Sequence, residues 1–158
     1  MLLYTLTDWL GLIPIGIAAG FAVLGLIQLI KRKGLFKVDY SLLALGIFYA
    51  AVIGVYILFE NVVINYRPIL IEGCLEVSYP SSTTMLTACV IPTAIMQLKW
   101  RTGARIYYPL AFIMTVFLIF TVVCRILSGV HWISDIIGGA LISAGLVLTY
   151  RAVGCYKR

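Results

Sequence analysis

Apolar residues gather along this chain into five long runs, at about 9–30, 41–59, 80–98, 106–123 and 132–150, with short polar intervals between them. Crossing the hydrocarbon core of a bilayer takes a helix of about 18–25 predominantly apolar residues. The pattern therefore predicts an all-α integral membrane bundle of five transmembrane helices, forming a single domain over 1–158. No internal repeat, low-complexity segment or linker interrupts it. Asp8 and Trp9 mark the outer edge of the first run, and Pro14 is expected to bend it. Gly16 and Gly20 suit close packing against another helix of the same chain. Residues 1–12 carry no basic leader, so this run is expected to be retained in the membrane. Whether they lie along the interface as a separate helix is left open.

Composition agrees with the pattern. Hydrophobic residues make up 63% of the chain and charged residues 11%, where a soluble domain carries about 25% charged residues. Mean hydropathy is +1.08. The formal charge of +6 raises the question of a nucleic-acid partner, and its placement answers it. Lys31, Arg32, Lys33, Lys37, Lys99, Arg101, Arg105, Arg151, Lys157 and Arg158 all fall on one side of a five-span topology. Lys and Arg collect in cytoplasmic loops, so that side is cytoplasmic, with the N-terminus out and the C-terminus in. The excess charge reads as topology, and no nucleic-acid partner is expected. Only Arg67 and Arg125 fall outside, on the side that also carries Asp8, Glu60, Glu72, Glu76, His131 and Asp135. Basic residues kept where topology disfavours them suggest a bound anion. Glu72 and Glu76 are read as solvated loop charges.

The stretch 125–135, Arg-Ile-Leu-Ser-Gly-Val-His-Trp-Ile-Ser-Asp, holds the chain's single histidine between two apolar runs. Ionisable groups at the edge of a membrane segment are expensive, which makes this a functional-site candidate. In a helix starting near His131, Asp135 would share its face, fix the tautomer by accepting from one ring nitrogen, and leave the other free to attack. Arg125 and Arg67 offer planar forks to a phosphate. Pro80 suits the first turn of a helix, where free N–H groups with the hydroxyls of Ser81 and Ser82 would form an anion site. Cys74, Cys89, Cys124 and Cys155 show no metal-ligand spacing, so neither a metal nor a cofactor is expected.

Together these pieces resemble the type-2 phosphatidic acid phosphatase family, related to the vanadium haloperoxidases. Its pattern is Lys-x6-Arg-Pro, Pro-Ser-Gly-His and Ser-Arg-x5-His-x3-Asp. The matching segments here are Glu60-x6-Arg67-Pro68, Pro80-Ser81-Ser82-Thr83 and Cys124-Arg125-x5-His131-x3-Asp135. The resemblance implies a hydrolase that acts on a phosphorylated lipid; the residue set calls for no metal, and the placement of Lys and Arg puts the site at the extracytoplasmic face of the cell membrane. The resemblance also implies a phosphohistidine on His131, with phosphate held by Arg67, Arg125 and Ser81; the helix-start reading adds Ser82, and the spacing gives Asp135 the orienting role.

Two positions depart from the pattern and mark candidate modulators. Glu60 reverses the charge of the family's lysine and is expected to pair with Arg67 or face solvent. Thr83 replaces a histidine that would protonate the leaving group, a contribution worth about 10²–10⁴-fold. A diphosphate substrate lessens that loss, because its leaving group is a phosphate monoester with second pKa near ~6. The favoured substrate is therefore a lipid diphosphate such as a polyprenyl diphosphate. Two other readings stand beside it: a relative that binds or translocates a phosphorylated lipid without hydrolysis, and a structural or assembly subunit.

Overall fold

A computed structural model describes residues 2–71 and 73–156. Glu72, Lys157 and Arg158 lie outside the described residues, as does the side chain of Cys155. The elements are α1 (Leu2–Leu10), α2 (Leu12–Arg32), α3 (Tyr40–Asn61), α4 (Ser82–Arg101), α5 (Ala104–Leu127) and α6 (Ile133–Tyr156), with a short 3₁₀ turn at Leu35–Lys37. It is a membrane helical bundle. Among the described residues, four segments are long and apolar enough to cross a bilayer: Leu3–Arg32, Tyr40–Asn61, Ala104–Leu127 and Ile133–Gly154.

The run at 80–98 corresponds to α4, which is of spanning length and less apolar than the others for a physical reason. It is the central helix, packed against α2, α3, α5 and α6, and Thr83, Thr84, Thr87, Thr93 and Gln97 on it are all buried. Its threonines stay satisfied by bonding back along the helix, Thr87 Oγ1 to Thr83 O at 2.8 Å and Thr93 Oγ1 to Cys89 O at 2.8 Å. Gln97 Nε2 donates to the Tyr150 hydroxyl at 2.7 Å and ties α4 to α6. A helix packed among four others needs less apolar surface than one turned to lipid. The helix begins at Ser82, not at Pro80, which precedes the N-cap Ser81.

The first apolar run, expected at about 9–30, is mostly α2, and a separate helix α1 precedes it. Gly11 separates α1 from α2, and its N–H returns to Thr7 O and Asp8 O. Pro14 follows within the first turn of α2, where its missing N–H does no harm. The break lets α1 pack against α5.

At the basic end of the bundle, Asp39 accepts from Gln28 Nε2 (2.8 Å), Arg32 Nη1 (2.8 Å) and Arg101 Nη1 (3.0 Å). The Gln28 bond foremost, with the two guanidinium groups, holds its carboxyl down at about 2. This cluster fastens the end of α2 to the start of α3 and the end of α4.

At the other end, the segment between α3 and α4 folds back on itself. Isolated bridges join Tyr66 to Val77 and Ile71 to Cys74, Arg67 N–H donates to Glu76 O, and Ser78 N–H donates to Asn65 O. The paired glycines of α6 let that helix approach the end of this segment closely. A Cβ on Gly139 would sit 3.3 Å from Ser81 O, and one on Gly138 would sit 2.3 Å from the Tyr79 ring. Phe59 packs edge-on against the same ring, at 5.4 Å between centroids. Gly138→Ala is accordingly expected to destabilise the protein by about 1–3 kcal/mol through overpacking. Thermal unfolding in detergent measures this, and an unchanged midpoint would contradict the packing.

Candidate active site

The structure brings His131, Arg125, Asp135 and Arg67 together around the segment 78–81. His131 precedes α6 and so does not share a helix face with Asp135. Its Nδ1 lies 3.0 Å from Ser78 O and 3.1 Å from Ser78 Oγ, while Asp135 Oδ2 is 3.8 Å away. The expected direct His131–Asp135 hydrogen bond is therefore replaced by a relay through Ser78, whose hydroxyl donates to Asp135 Oδ2. The cause is the place of Asp135 in α6. It is the third residue of the helix, and its carboxylate turns back to accept the Trp132 N–H at 3.0 Å, the carboxylate half of a capping box. Asn65 Nδ2 donates to its other oxygen at 2.9 Å. Asp135 is fully buried, and each of its oxygens has a protein donor.

This geometry defines the imidazole. With Ser78 O as acceptor, Nδ1 carries the proton, and Nε2 presents its lone pair to Arg125 Nη2, which donates at 3.2 Å. Burial first, and then the positive charges of Arg125 and Arg67, push the His131 pKa down to about 4 against a smaller opposing effect from Asp135. The ring is neutral at pH 7. An NMR titration of its ring nitrogens is expected to show a midpoint near 4, and one near 6.5 would contradict the burial. Because the unfolded chain takes up this proton first, the His131 contribution to stability falls as pH drops from 6.5 toward 4.

Arg125 is 1% exposed. One terminal nitrogen faces His131, and the other donates to Thr7 Oγ1 and Asp8 Oδ1, both at 2.9 Å. Arg67 pairs with Glu76 at 3.1 Å, so Glu76 is an ion-pair partner and not a free loop charge. The expected Glu60–Arg67 pair is absent among the described residues. Glu60 is exposed at the end of α3, the solvent-facing alternative expected of it. Tyr4 carries both guanidinium groups over its ring, Arg125 at 5.3 Å and Arg67 at 5.7 Å from the centroid. Buried Arg67 Nε, Arg67 Nη1 and Arg125 Nε have no partner among the described residues. Three unpaired cationic donors beside a neutral imidazole suit an anion such as a phosphoryl group.

Ser81 N–H donates to Asp135 O at 3.2 Å, and its hydroxyl accepts from Thr84 Oγ1 at 3.1 Å while keeping its own proton to donate. Ser82 and Thr83 border a cavity of 490 Å³ that also touches Asp8 and runs between α2, α3 and α4, past Ile15, Val52, Tyr56 and Leu86. Sequence reasoning missed Ser78, Asn65, Tyr4 and Thr7, and noted Asp8 only as the edge of a span. Asp8 did carry a signal, being an isolated carboxylate within an apolar stretch.

Among known proteins, a family model described as the PAP2 superfamily matches residues 61–157. That region takes in Arg67, Ser81, Arg125, His131 and Asp135 and leaves out Glu60, α1 and α2. No curated protein matches at a comparable level of significance. A solved structure titled the first transmembrane PAP2 type phosphatidylglycerolphosphate phosphatase from Bacillus subtilis is similar, with a TM-score of 0.62 and 21% identity. The match covers 91% of this chain and 76% of that one.

Proposed function

Because the chain belongs to the PAP2 superfamily, we propose that it hydrolyses a phosphorylated membrane lipid through a phosphohistidine on His131. The observation that carries this reading is the meeting of the Nε2 lone pair, at 3.2 Å from Arg125, with three guanidinium nitrogens that are unpaired among the described residues. Those donors would bind phosphoryl oxygens and favour the charge that develops on them in transfer, which is where catalysis of phosphoryl transfer lies. Nε2 attacks phosphorus, the bond to the leaving oxygen breaks, and the Ser78 carbonyl, together with the Ser78 hydroxyl bonded to Asp135, steadies the imidazole as it becomes positive. Ser81 and Ser82 add hydroxyls at the start of α4. No step calls on a metal.

The favoured substrate is a lipid diphosphate. Thr83 cannot readily protonate a departing alkoxide near neutral pH, whereas a lipid monophosphate departs without a proton. The apolar cavity beside Ser82 and Thr83 is suited to part of a lipid chain. Phosphate release from matched lipid mono- and diphosphates in detergent tests this. Faster release from the diphosphate is expected; equal or faster monophosphate hydrolysis would remove the preference, and no release from either would remove the phosphatase reading.

We also place the site on the extracytoplasmic side of the cell membrane, in a five-span protein with its N-terminus out. The basic cluster around Arg32, Lys37 and Arg101 is at the opposite end of the helices from His131, in keeping with basic loops facing the cytoplasm. Cys74 is exposed on the site side, and a membrane-impermeant maleimide is expected to label it in intact cells. Labelling that required lysis would reverse the orientation.

A further inference from the structure

Granting the phosphatase reading, the reaction has a second half that its first half leaves unserved. Hydrolysis of a phosphohistidine needs a water that loses a proton as it attacks, whatever the leaving group of the first step was. His131 is itself the group being displaced. Asp135 lies on the Nδ1 side of the ring, fully buried and bonded to Asn65, Ser78 and Trp132. It cannot reach the phosphorus carried by Nε2. Glu76 does not border the cavity. Among the described residues, the remaining carboxylate beside the site is Asp8.

Its position fits the need. Arg125 holds His131 Nε2 on one terminal nitrogen and Asp8 Oδ1 on the other, so a single guanidinium sets nucleophile and carboxylate side by side along its planar fork. The Asp8 side chain is 44% exposed against 2% for Arg125. It borders the 490 Å³ cavity together with Ser82 and Thr83, where a water can approach. The phosphoryl donors left free, Arg67 Nε, Arg67 Nη1 and Arg125 Nε, do not require Asp8 to leave Arg125. The break at Gly11 and the packing of α1 on α5 are what deliver this carboxylate to the site.

We infer that Asp8 is the general base for hydrolysis of the phosphohistidine. Water oxygen bonds to phosphorus while the P–Nε2 bond breaks and its electron pair returns to Nε2. One water proton passes to the Asp8 carboxylate and from there to solvent, and inorganic phosphate departs. A positioned base contributes about 10²–10⁴-fold.

Asp8→Asn tests this, because its amide oxygen can still accept from Arg125 Nη1. The probe is farnesyl diphosphate labelled in its terminal phosphate, mixed rapidly with enzyme in detergent and quenched in alkali, which preserves a phosphorus–nitrogen bond. The wild type is expected to turn over with little labelled protein. The Asn variant should give one rapid equivalent of farnesyl phosphate, then a steady rate about 10²–10⁴-fold slower, with label accumulating on His131. Asp8→Glu should restore part of the steady rate.

Loss of the burst and the steady rate together, with no labelled protein, would overturn the inference and leave Asp8 a structural partner of Arg125. A faster variant would also overturn it, showing Asp8 as a mere competitor for the phosphate site. Label that accumulates on Glu76→Gln and not on the Asp8 variant would move the role to Glu76. A wild type that neither labels nor releases phosphate would overturn the phosphatase reading on which the inference stands, a result distinct from the others.

Discussion

Replacing His131 with asparagine is expected to lower phosphate release by about 10⁶-fold, the scale seen when a covalent nucleophile is removed, equal to about 8 kcal/mol of barrier. Asparagine suits the test because its amide nitrogen can imitate Nδ1 and donate to Ser78 O. The site's buried carboxylate does not depend on the imidazole either. Asp135 keeps Asn65 Nδ2, the Ser78 hydroxyl and the Trp132 N–H, so no buried charge is orphaned and the fold should survive. Lost activity with an unchanged unfolding midpoint and retained binding of inorganic phosphate assigns His131 to the chemistry. Residual hydrolysis above about 1% of wild type would refute a nucleophilic His131. The same variant separates the rival readings, since a protein that only binds or moves a phosphorylated lipid would be indifferent to the loss of a nucleophile.

The sequence made His131, Arg125 and Asp135 legible because they are close in the chain and because ionisable residues beside apolar runs call for a reason. Arg67 followed from its place on the side where basic residues are scarce. What escaped were the partners that complete the geometry. Ser78 is 53 residues from His131 and Thr7 is 118 residues from Arg125, and no periodicity reports on a pairing at that distance. The spacing of His131 and Asp135 suggested a direct bond, and it misled because α6 begins only at Ile133. Two residues decide whether Asp135 faces the imidazole or caps the helix. Helix positions within the bundle followed closely from the apolar runs, and α4 shows the limit of that signal. Its threonines and Gln97 are a polar surface turned wholly inward, so its hydropathy understates its burial. The break at Gly11 was left open, because a single glycine within an apolar stretch is compatible with a continuous helix. That one residue nonetheless separates a plain membrane span from a span topped by a short helix that inserts Tyr4, Thr7 and Asp8 into the site.

Arg125 is where these two halves of the protein meet, and its replacement is expected to have the second-largest effect. Arg125→Ala removes the donor facing Nε2 and the unpaired Nε as well. Loss of one well-placed donor reduces turnover by about 10²–10³-fold, and loss of the whole fork is expected to reach about 10³-fold or more, at least ~4 kcal/mol. Arg125→Lys should recover little of this, because an ammonium keeps the charge without the fork that spans His131 and Asp8. Stability should fall too, since Asp8 loses its cation. A broken buried pair costs about 3–5 kcal/mol, and the half-exposed carboxylate places this one below that range, because water solvates what Arg125 releases. Thr7 adds little to the penalty, its hydroxyl already donating to Leu3 O and Tyr4 O. Adding Asp8→Asn to Arg125→Ala is therefore expected to restore stability without restoring activity. Unfolding and phosphate release measured on all four members of that cycle separate the two roles of the guanidinium. If the double variant were as unstable as Arg125→Ala alone, the ion pair would not be what fastens α1 to α5. If it regained activity, Arg125 would be serving only to neutralise Asp8, and the phosphate would be bound elsewhere.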